Sequence, residues 1–187
     1  MEFLSEAVKL PVPRQTLPEE VFVVQAEVTE NEAQLLLLPY PAALERILDE
    51  TFSPMGWACR RYNCGGTLYC SVGVYNPMTN DYVHKDAPAT QDYKGKDKVR
   101  AADTSCFWGA AAHWGVCSDI RALPMITMRK PDVDIVPVAG GRDGKQVTGY
   151  RVNQRLRVDK FSRREDGSIN MVQLIDQHGK KILWEAG

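Results

Sequence analysis

Apolar and polar residues alternate along several segments of the chain, with the period of two that is typical of half-buried strands. The clearest segment is 67–76, in which one side carries four apolar residues, namely Leu68, Cys70, Val72 and Val74. Its other side carries a mixed set, namely Thr67, Tyr69, Ser71 and Tyr75. Segments 57–62 and 81–85 flank it, so a three-stranded meander is predicted, with Gly65 and Gly66 permitting the first turn.

Two segments instead have apolar residues at helical spacing. Segment 41–52 has an apolar stripe opposite a charged face, and the stripe consists of Leu44, Ile47, Leu48, Thr51 and Phe52. Segment 103–114 repeats the spacing with Phe107, Ala110, Ala111 and Trp114, and Gly115 is expected to end that helix. A polar loop over 86–97 is predicted to lead into it.

The ends of the chain are predicted to be rich in strands. Segments 21–28 and 35–38 indicate a hairpin, and the apolar run of the second segment predicts a strand buried on both faces. At the other end, 147–161 is predicted to be one strand, followed by 169–176 and 181–184 in a meander. The predicted class is α+β: an antiparallel sheet packed on a central helix, with an N-terminal hairpin and helix and a C-terminal β-meander.

Charge is distributed unevenly over the 187 residues, although the net charge is only −1. Residues 1–56 carry 3 basic and 10 acidic side chains, a balance of −7, which leaves 20 basic and 14 acidic, or +6, for 57–187. Such asymmetry fits either a surface for a polyanion or an unevenly charged solvated surface. No apolar run is long enough to span a bilayer and no signal peptide is recognisable, so a cytoplasmic location is expected.

The five cysteines do not indicate a disulfide framework or a metal site. Their number is odd, and no pair has the Cys-x-x-Cys spacing of a zinc knuckle. Small apolar side chains that fill the core are the simpler interpretation. Neither a cluster of carboxylates nor a nucleophile motif points to a hydrolase or a metal-dependent nuclease, so no cofactor and no catalytic residue is expected.

Several short motifs follow one another in a set order between residues 10 and 124. The first three are Leu-Pro-Val-Pro at 10–13, the segment LPEEVFVVQ at 17–25 and Leu-Pro-Tyr at 38–40. The segment LERILDETF at 44–52 and Met-Gly-Trp at 55–57 follow. The last is 104–124, in which the matching residues are Phe107, Ala110, Ala111, Trp114, Gly115, Leu123 and Pro124. This series resembles the Rad-fifty-two superfamily of single-strand annealing proteins, which includes phage Sak-type recombinases, over roughly residues 10–128.

The resemblance implies a β-β-β-α core that assembles into rings or arcs and anneals complementary strands without ATP. An annealing domain is therefore expected over 1–130, followed by a β-rich extension over 131–187 that lies outside the resemblance and is expected to pack on that domain. Expected partners are single-stranded DNA and further copies of the chain, with a phage exonuclease or a host single-strand-binding protein as additional candidates. The expected setting is DNA recombination and repair at the nucleoid of a bacterial host, with no membrane partner.

Two stretches depart from the family pattern. Trp108-Gly109 stands where the family has a Lys-Arg pair, and the residues 115–121 (GVCSDIR) stand where it has Gly-x-Gly-Arg-Tyr-Leu-Tyr. The loss of the basic pair leaves open an alternative, a protein with the same fold that protects DNA ends or serves assembly without annealing. Trp108 itself could stack on bases or pack against a neighbouring subunit, and packing is the favoured interpretation.

Twelve residues are predicted to contact DNA: Arg60, Arg61, Lys85, Lys94, Lys96, Lys98, Arg100, Trp108, Arg121, Arg151, Arg155 and Arg157. Only one of the adjacent Arg60 and Arg61 can reach a given face of a strand. The last three arginines are predicted to share the exposed face of the strand 147–161. They are interpreted either as a second DNA contact or as partners of carboxylates on a neighbouring subunit.

Overall fold

The computed structural model describes residues 11–90, 97–140 and 146–186. A 3-10 helix at Pro18–Glu20 precedes three α-helices: α1 (Pro41–Phe52), α2 (Lys98–Ala112) and α3 (Ser118–Arg121). The first strands are β1 (Val21–Val28), β2 (Glu32–Pro39), β3 (Trp57–Cys64), β4 (Thr67–Asn76) and β5 (Asp81–Pro88). The others are β6 (Ile126–Arg129), β7 (Ile135–Gly140), β8 (Gln146–Val152), β9 (Arg157–Arg163), β10 (Ile169–Ile175) and β11 (Lys181–Glu185). The fold is α+β with antiparallel sheets, as the sequence predicts.

The chain forms two compact units, and each is made of two separate stretches. The first unit consists of Met1–Arg14 with Leu44–Val116, and the second of Gln15–Ala43 with Cys117–Gly187. The chain therefore passes between the units at 14/15, 43/44 and 116/117. A division at residue 130 into annealing domain and extension stays a prediction.

The first unit is built on the antiparallel sheet β3-β4-β5, with α2 packed against β4 and β5. The predicted meander and the helix that follows it are confirmed. In α1, Leu44, Ile47 and Leu48 are fully buried, as the helical stripe predicts. In α2, Phe107, Ala110 and Ala111 are buried on one face, as the helical spacing predicts. The helix ends at Ala112, however, so the predicted fourth member of that face, Trp114, lies beyond it and is half-buried.

The middle of β4 is buried on both faces, which the alternation in the sequence does not predict. Cys70 and Val72 are buried on the side of α2, but Ser71 on the other side is buried as well. The reason is the imidazole of His84, which lies over Gly73 and whose Nδ1 is 3.1 Å from Ser71 Oγ. A Cβ atom at Gly73 would lie 2.6 Å from His84 Cε1, so a side chain at this position would displace the ring.

Helix α2 begins five residues before the predicted Asp103. The side chain of Asp97 accepts a hydrogen bond from the backbone N–H of Arg100 at 3.1 Å and thereby caps the helix. Lys98 and Arg100, predicted to precede the helix, lie in the first turn of α2 instead. Lys94 and Lys96 fall outside the described residues. At the other end, Gly115 has φ +90°, a left-handed conformation that suits glycine just beyond a helix.

The second unit contains three sheets, in the orders β1-β2-β6, β7-β8 and β11-β10-β9. The first hairpin and the final meander are confirmed, whereas β6 and β7 were not predicted. The prediction that the second strand of the hairpin is buried on both faces is wrong. In β2, Leu35 and Leu37 are buried, but Leu36 and Leu38 are only half-buried, so the continuous apolar run conceals an ordinary alternation.

The predicted strand 147–161 is in fact two strands, β8 and β9, that belong to different sheets. The predicted strand is interrupted at the connection between β8 and β9, whose residues form hydrogen bonds with other segments. Asn153 N–H donates to the carbonyl of Asp134 at 2.9 Å, and Gln154 Oε1 accepts from the N–H of Asp134 at 2.8 Å. Arg155 N–H donates to Gln177 Oε1 at 2.7 Å. Backbone groups used in this way cannot join a ladder, so one continuous strand cannot form.

A largely buried ion pair joins three segments of the second unit. Arg163 Nη1 lies 2.8 Å from Asp119 Oδ2, and the two side chains are only 14% and 15% exposed. Thr16 Oγ1 donates to Asp119 Oδ1 at 2.6 Å, and Arg163 Nη2 donates to the carbonyl of Thr16 at 2.8 Å. The carboxylate therefore connects the start of this unit, α3 and β9.

Replacing Asp119 by Asn should lower the free energy of unfolding by about 3 kcal/mol, because it leaves a buried guanidinium without its counter-charge. Denaturant unfolding followed by circular dichroism measures the loss. The matched control is Lys181→Gln, which breaks an exposed pair with Asp159 and should cost less than about 1 kcal/mol. Equal losses in the two variants would contradict the structural role assigned to Asp119.

Candidate nucleic-acid interface

The two faces of the sheet β3-β4-β5 carry different residues because side chains alternate along each strand. On the face covered by α2, the guanidinium of Arg61 contacts the carboxylate of Asp103 and lies 5.6 Å from the centre of the Phe107 ring. This hydrogen-bonded carboxylate raises the pKa of Arg61 above its ordinary value. Arg61 thus binds the sheet to the helix.

Lys85 has a similar internal role. Its Nζ donates to the carbonyl of His113 at 2.7 Å and lies 4.1 Å from the centre of the Trp114 ring. Trp114 in turn donates from Nε1 to the carbonyl of Val72 at 2.9 Å. Two of the predicted DNA contacts, Arg61 and Lys85, are therefore engaged with the end and the flank of α2.

The opposite face of the sheet is not covered by α2, and we call it the open face. Near the end of the β3-β4 hairpin it carries Tyr62 and Tyr69, which face each other across the strands. Their rings are stacked, with centres 5.4 Å apart and planes inclined by 14°. Both rings are half-buried, so part of their surface stays accessible.

A hydrogen-bonded carboxylate fixes the orientation of this stack. Tyr62 Oη donates to Asp86 Oδ2 at 2.8 Å, and this bond raises the pKa of the Tyr62 phenol. The hydroxyl of Ser71 and then that of Tyr62 lower the pKa of Asp86. The ionised carboxylate thereby holds the phenol in place, so the Tyr62 ring is oriented in advance.

Two further tyrosines lie at the other end of the open face. Tyr75 and Tyr82 pair across β4 and β5, with ring centres 5.6 Å apart in an edge-to-face arrangement. Tyr75 donates to Asn80 Oδ1 at 2.7 Å, and Tyr82 donates to the carbonyl of Met55 at 3.0 Å. The open face therefore presents aromatic pairs at both ends, with the His84 ring between them.

Arg60 is the cation of the open face. It occupies the same rung as Ser71 and Asp86 and lies on the same side of β3 as Tyr62. Its side chain is exposed and, within the described ranges 11–90, 97–140 and 146–186, it makes no hydrogen bond or ion pair. Of the two adjacent arginines, Arg61 therefore faces α2 and Arg60 faces solvent, as strand alternation requires.

A cleft of about 390 Å³ opens where the hairpin end meets the first turns of α2. It is lined by Asn63, Gly66, Thr67, Leu68, Ala89, Thr90, Lys98 and Ala102. Lys98 and Arg100 are exposed in the first turn of α2, which has no acidic residue. The N-terminus of a helix carries partial positive charge, which the capping carboxylate of Asp97 partly neutralises here, and Lys98 and Arg100 add two positive charges.

The remaining predicted residues are divided between the two units. Trp108 is half-buried on α2, and Gly109 beside it is buried. Arg121, Arg151, Arg155 and Arg157 are exposed in the second unit. The prediction that the last three share a strand face is wrong, because Arg151 lies in β8, Arg155 in the connection and Arg157 in β9.

The tyrosines of the open face were not among the predicted site residues. Their signal was present in the sequence, because Tyr69 and Tyr75 fall on the less apolar side of the segment 67–76. What the sequence could not give is the register that places Tyr62 opposite Tyr69 and Tyr75 opposite Tyr82. Which aromatic residues lie next to each other depends on how the strands pair, and the spacing of residues within one strand does not reveal it.

The open face offers stacking surfaces, the Arg60 cation and the Asp86 carboxylate. Ser71 is fully buried, and its hydroxyl bonds to Asp86 and lies against His84, so it is not available as a nucleophile. Within the described part of the chain, no group of three or more potential ligands could hold a metal ion. Among the described helices, none has the length and apolarity needed to cross a membrane.

The chain was compared with protein families, curated proteins and solved structures. No protein-family model, no curated protein and no solved structure matches the chain. The resemblance to the annealing superfamily therefore stays a prediction that depends on the motifs between residues 10 and 124.

The contrast between the two adjacent arginines can be tested through stability. Arg61→Gln should lower the free energy of unfolding by about 1 kcal/mol, because it removes a partly exposed ion pair together with a ring contact. Arg60→Gln should change it by less than about 0.5 kcal/mol, because that exposed side chain makes no hydrogen bond or ion pair in the described ranges and acts on Asp86 only through its charge. Urea unfolding of both variants measures the difference, and a larger loss for Arg60→Gln would show that the two faces are assigned the wrong way round.

Proposed function

We propose that the protein binds single-stranded DNA and anneals complementary strands, as a homo-oligomer and without ATP. The observation that carries the proposal is the end of the open face, where exposed Arg60 lies beside the stacked pair Tyr62 and Tyr69. Aromatic rings bind bases of any sequence by stacking, and cations bind the phosphates between them. A surface of this kind suits a strand of arbitrary sequence, which annealing requires.

The cleft beside the hairpin end supports the proposal with a second set of cations. Tyr62 and Tyr69 occupy the rung next to Asn63 and Leu68, and both of these residues line the cleft. Asn63 and Leu68 point to the side of α2, so the cleft opens on the other side of the sheet from the tyrosines. A strand whose bases stack on the tyrosines would pass round the end of the β3-β4 hairpin to bring its phosphates to Lys98 and Arg100. Arg60, Lys98 and Arg100 would then supply the cationic contacts that the family places in its central helix.

This arrangement gives a physical account of the missing Lys-Arg pair. Gly109 is buried in α2, so the second position of that pair is unsuited to a charged side chain in this chain. The order of elements, three antiparallel strands followed by α2, agrees with the β-β-β-α core that the resemblance implies. We therefore propose that the fold of the family is retained while the cations lie on the sheet and at the start of the helix.

The salt dependence of binding tests the cationic contacts. For single strands, log K falls against log salt with a slope of about 0.7 for each phosphate that is neutralised. The triple variant Arg60→Gln, Lys98→Gln, Arg100→Gln should reduce the slope by roughly 2, three times about 0.7. Fluorescence anisotropy with a labelled oligothymidine over a range of salt concentrations measures it.

Two control variants make this result specific. Arg61→Gln removes the same charge from the residue next to Arg60, and it should leave the slope unchanged because Arg61 faces α2. The variant Arg151→Gln, Arg155→Gln, Arg157→Gln tests the second-unit arginines, and an unchanged slope would remove them from the DNA footprint. A slope that responds to Arg61 and not to Arg60 would overturn the proposed surface.

The tyrosines should contribute binding free energy that does not depend on salt. Tyr69→Ala should weaken binding of a single strand by about 1–3 kcal/mol, the range for one stacked base, without changing the salt slope. Tyr62→Phe is the matched control, because it keeps the ring and loses only the hydrogen bond to Asp86. Full affinity in Tyr69→Ala would exclude this pair as a base-stacking surface.

The alternative function, protection of DNA ends or assembly without annealing, is favoured by one observation, the Trp108-Gly109 sequence in α2. An annealing assay separates the two functions: two complementary strands are mixed, and the rate of duplex formation is compared with and without the protein. An annealing protein raises this rate above the spontaneous one. An end-protecting protein would bind the same strands and leave the rate unchanged or lower it.

A further inference from the structure

Two cysteine side chains meet on the face of the sheet that α2 covers. Cys59 of β3 and Cys70 of β4 are on neighbouring strands, and their Sγ atoms are 3.2 Å apart. A disulfide has a sulfur–sulfur distance of about 2.05 Å, so the two atoms would need to approach by about 1.2 Å. Cys59 stands opposite Val72 and Cys70 opposite Arg61, so the two cysteines are diagonal neighbours. Forming the bond therefore requires a local shift of the two strands together with rotation of the side chains.

The two thiols differ in access and in ionisation. Cys59 is half-buried, whereas Cys70 is fully buried. The hydrogen bond from the Cys70 thiol lowers the pKa of Cys59 to about 7, and Arg61 Nη1 donates to Cys59 Sγ at 3.4 Å. The same hydrogen bond, with burial, raises the pKa of Cys70. A large fraction of Cys59 is therefore thiolate at neutral pH, which is the reactive form, and its neighbour holds the proton.

We infer that Cys59 and Cys70 are an oxidisable dithiol, which a hydroperoxide converts into a disulfide that joins β3 to β4. This inference does not depend on the proposed function. The sequence-based interpretation treats all five cysteines as core-filling side chains, which is wrong for Cys64 because it is exposed. Cys106 and Cys117 fit that interpretation because both are buried.

The reaction has two steps, and its electrons balance. The Cys59 thiolate attacks one oxygen of the peroxide; the O–O bond breaks, Cys59 becomes a sulfenic acid, and the second oxygen leaves with a proton as water or an alcohol. The Cys70 sulfur then attacks the Cys59 sulfur, the S–S bond forms and the S–O bond breaks, and the thiol proton leaves with the hydroxide as water. One peroxide is reduced by two electrons, and the two thiols are oxidised by two.

Peptide mapping of the full chain after treatment with hydrogen peroxide tests the inference. In the Cys64→Ser variant, trypsin gives peptides 47–60 and 62–85, each with a single cysteine, Cys59 or Cys70. The expected product is one linked peptide, about 2 Da lighter than the sum of its parts, that separates on treatment with dithiothreitol. In the unmodified chain, titratable thiols should fall from five to three, since five less two remain.

Matched variants keep the test specific. Cys59→Ser and Cys70→Ala should each abolish the linked product, whereas Cys106→Ala, also at a buried cysteine, should retain it. Should a variant fail to fold by circular dichroism, the mapping of the Cys64→Ser protein decides alone. Oxidation of Cys59 to the sulfinic acid with no linked peptide, or links made only through Cys64 in the unmodified chain, would overturn the inference.

The pH dependence of alkylation provides a second measurement. The rate of Cys59 modification by iodoacetamide should be half-maximal near pH 7 in the reduced protein. Cys70→Ala should move that midpoint upward, because the thiolate loses the hydrogen bond that stabilises it. An identical profile with and without Cys70 would show that the two sulfurs do not interact.

Discussion

The packing of α2 on one face of the sheet β3-β4-β5 is the constraint on which the site depends. Because side chains alternate along a strand, covering one face determines which residues of β3, β4 and β5 stay accessible on the other. Arg61 and Lys85 are on the covered face, where they bind Asp103 and the carbonyl of His113. Arg60 and the tyrosines are left on the open face. A shift of one residue in the register of β3 would exchange Arg60 for Arg61 and reverse the chemistry of both faces.

Much of the first unit could be predicted from the sequence, because its signals are local. The period-two alternation at 67–76 and the helical stripes at 41–52 and 103–114 each reflect burial of one face. Burial of one face requires apolar residues at regular spacing, and this spacing is visible in the sequence. The errors arise where distant residues decide the outcome. The strand predicted at 147–161 is interrupted by hydrogen bonds of Asn153 and Gln154 to Asp134, a residue 19 positions from the first of them. The imidazole over Gly73 likewise buries a face of β4 that is polar by composition.

The candidate site shows the same limit. Basic residues are visible in a sequence, but their partners are not, so Arg61 and Lys85 could not be separated from Arg60 and Lys98 by residue type. The contacts of Arg61 and Lys85 with α2 give these two cations a structural role, and those of Tyr62 with Asp86 give the open face a fixed geometry. The Cys59–Cys70 pair also required the register, since eleven positions separate the two residues along the chain.

Photo-cross-linking measures the central claim most directly, because it reports which side chains touch a bound strand. A single-stranded oligonucleotide that carries 5-iodouridine is irradiated in complex with the full chain, and the cross-linked peptides are identified by mass spectrometry. We expect cross-links at Tyr62 or Tyr69 that are lost when that tyrosine is replaced by alanine. Cross-links confined to the second unit, or a strand that binds without touching β3, β4 or β5, would contradict it.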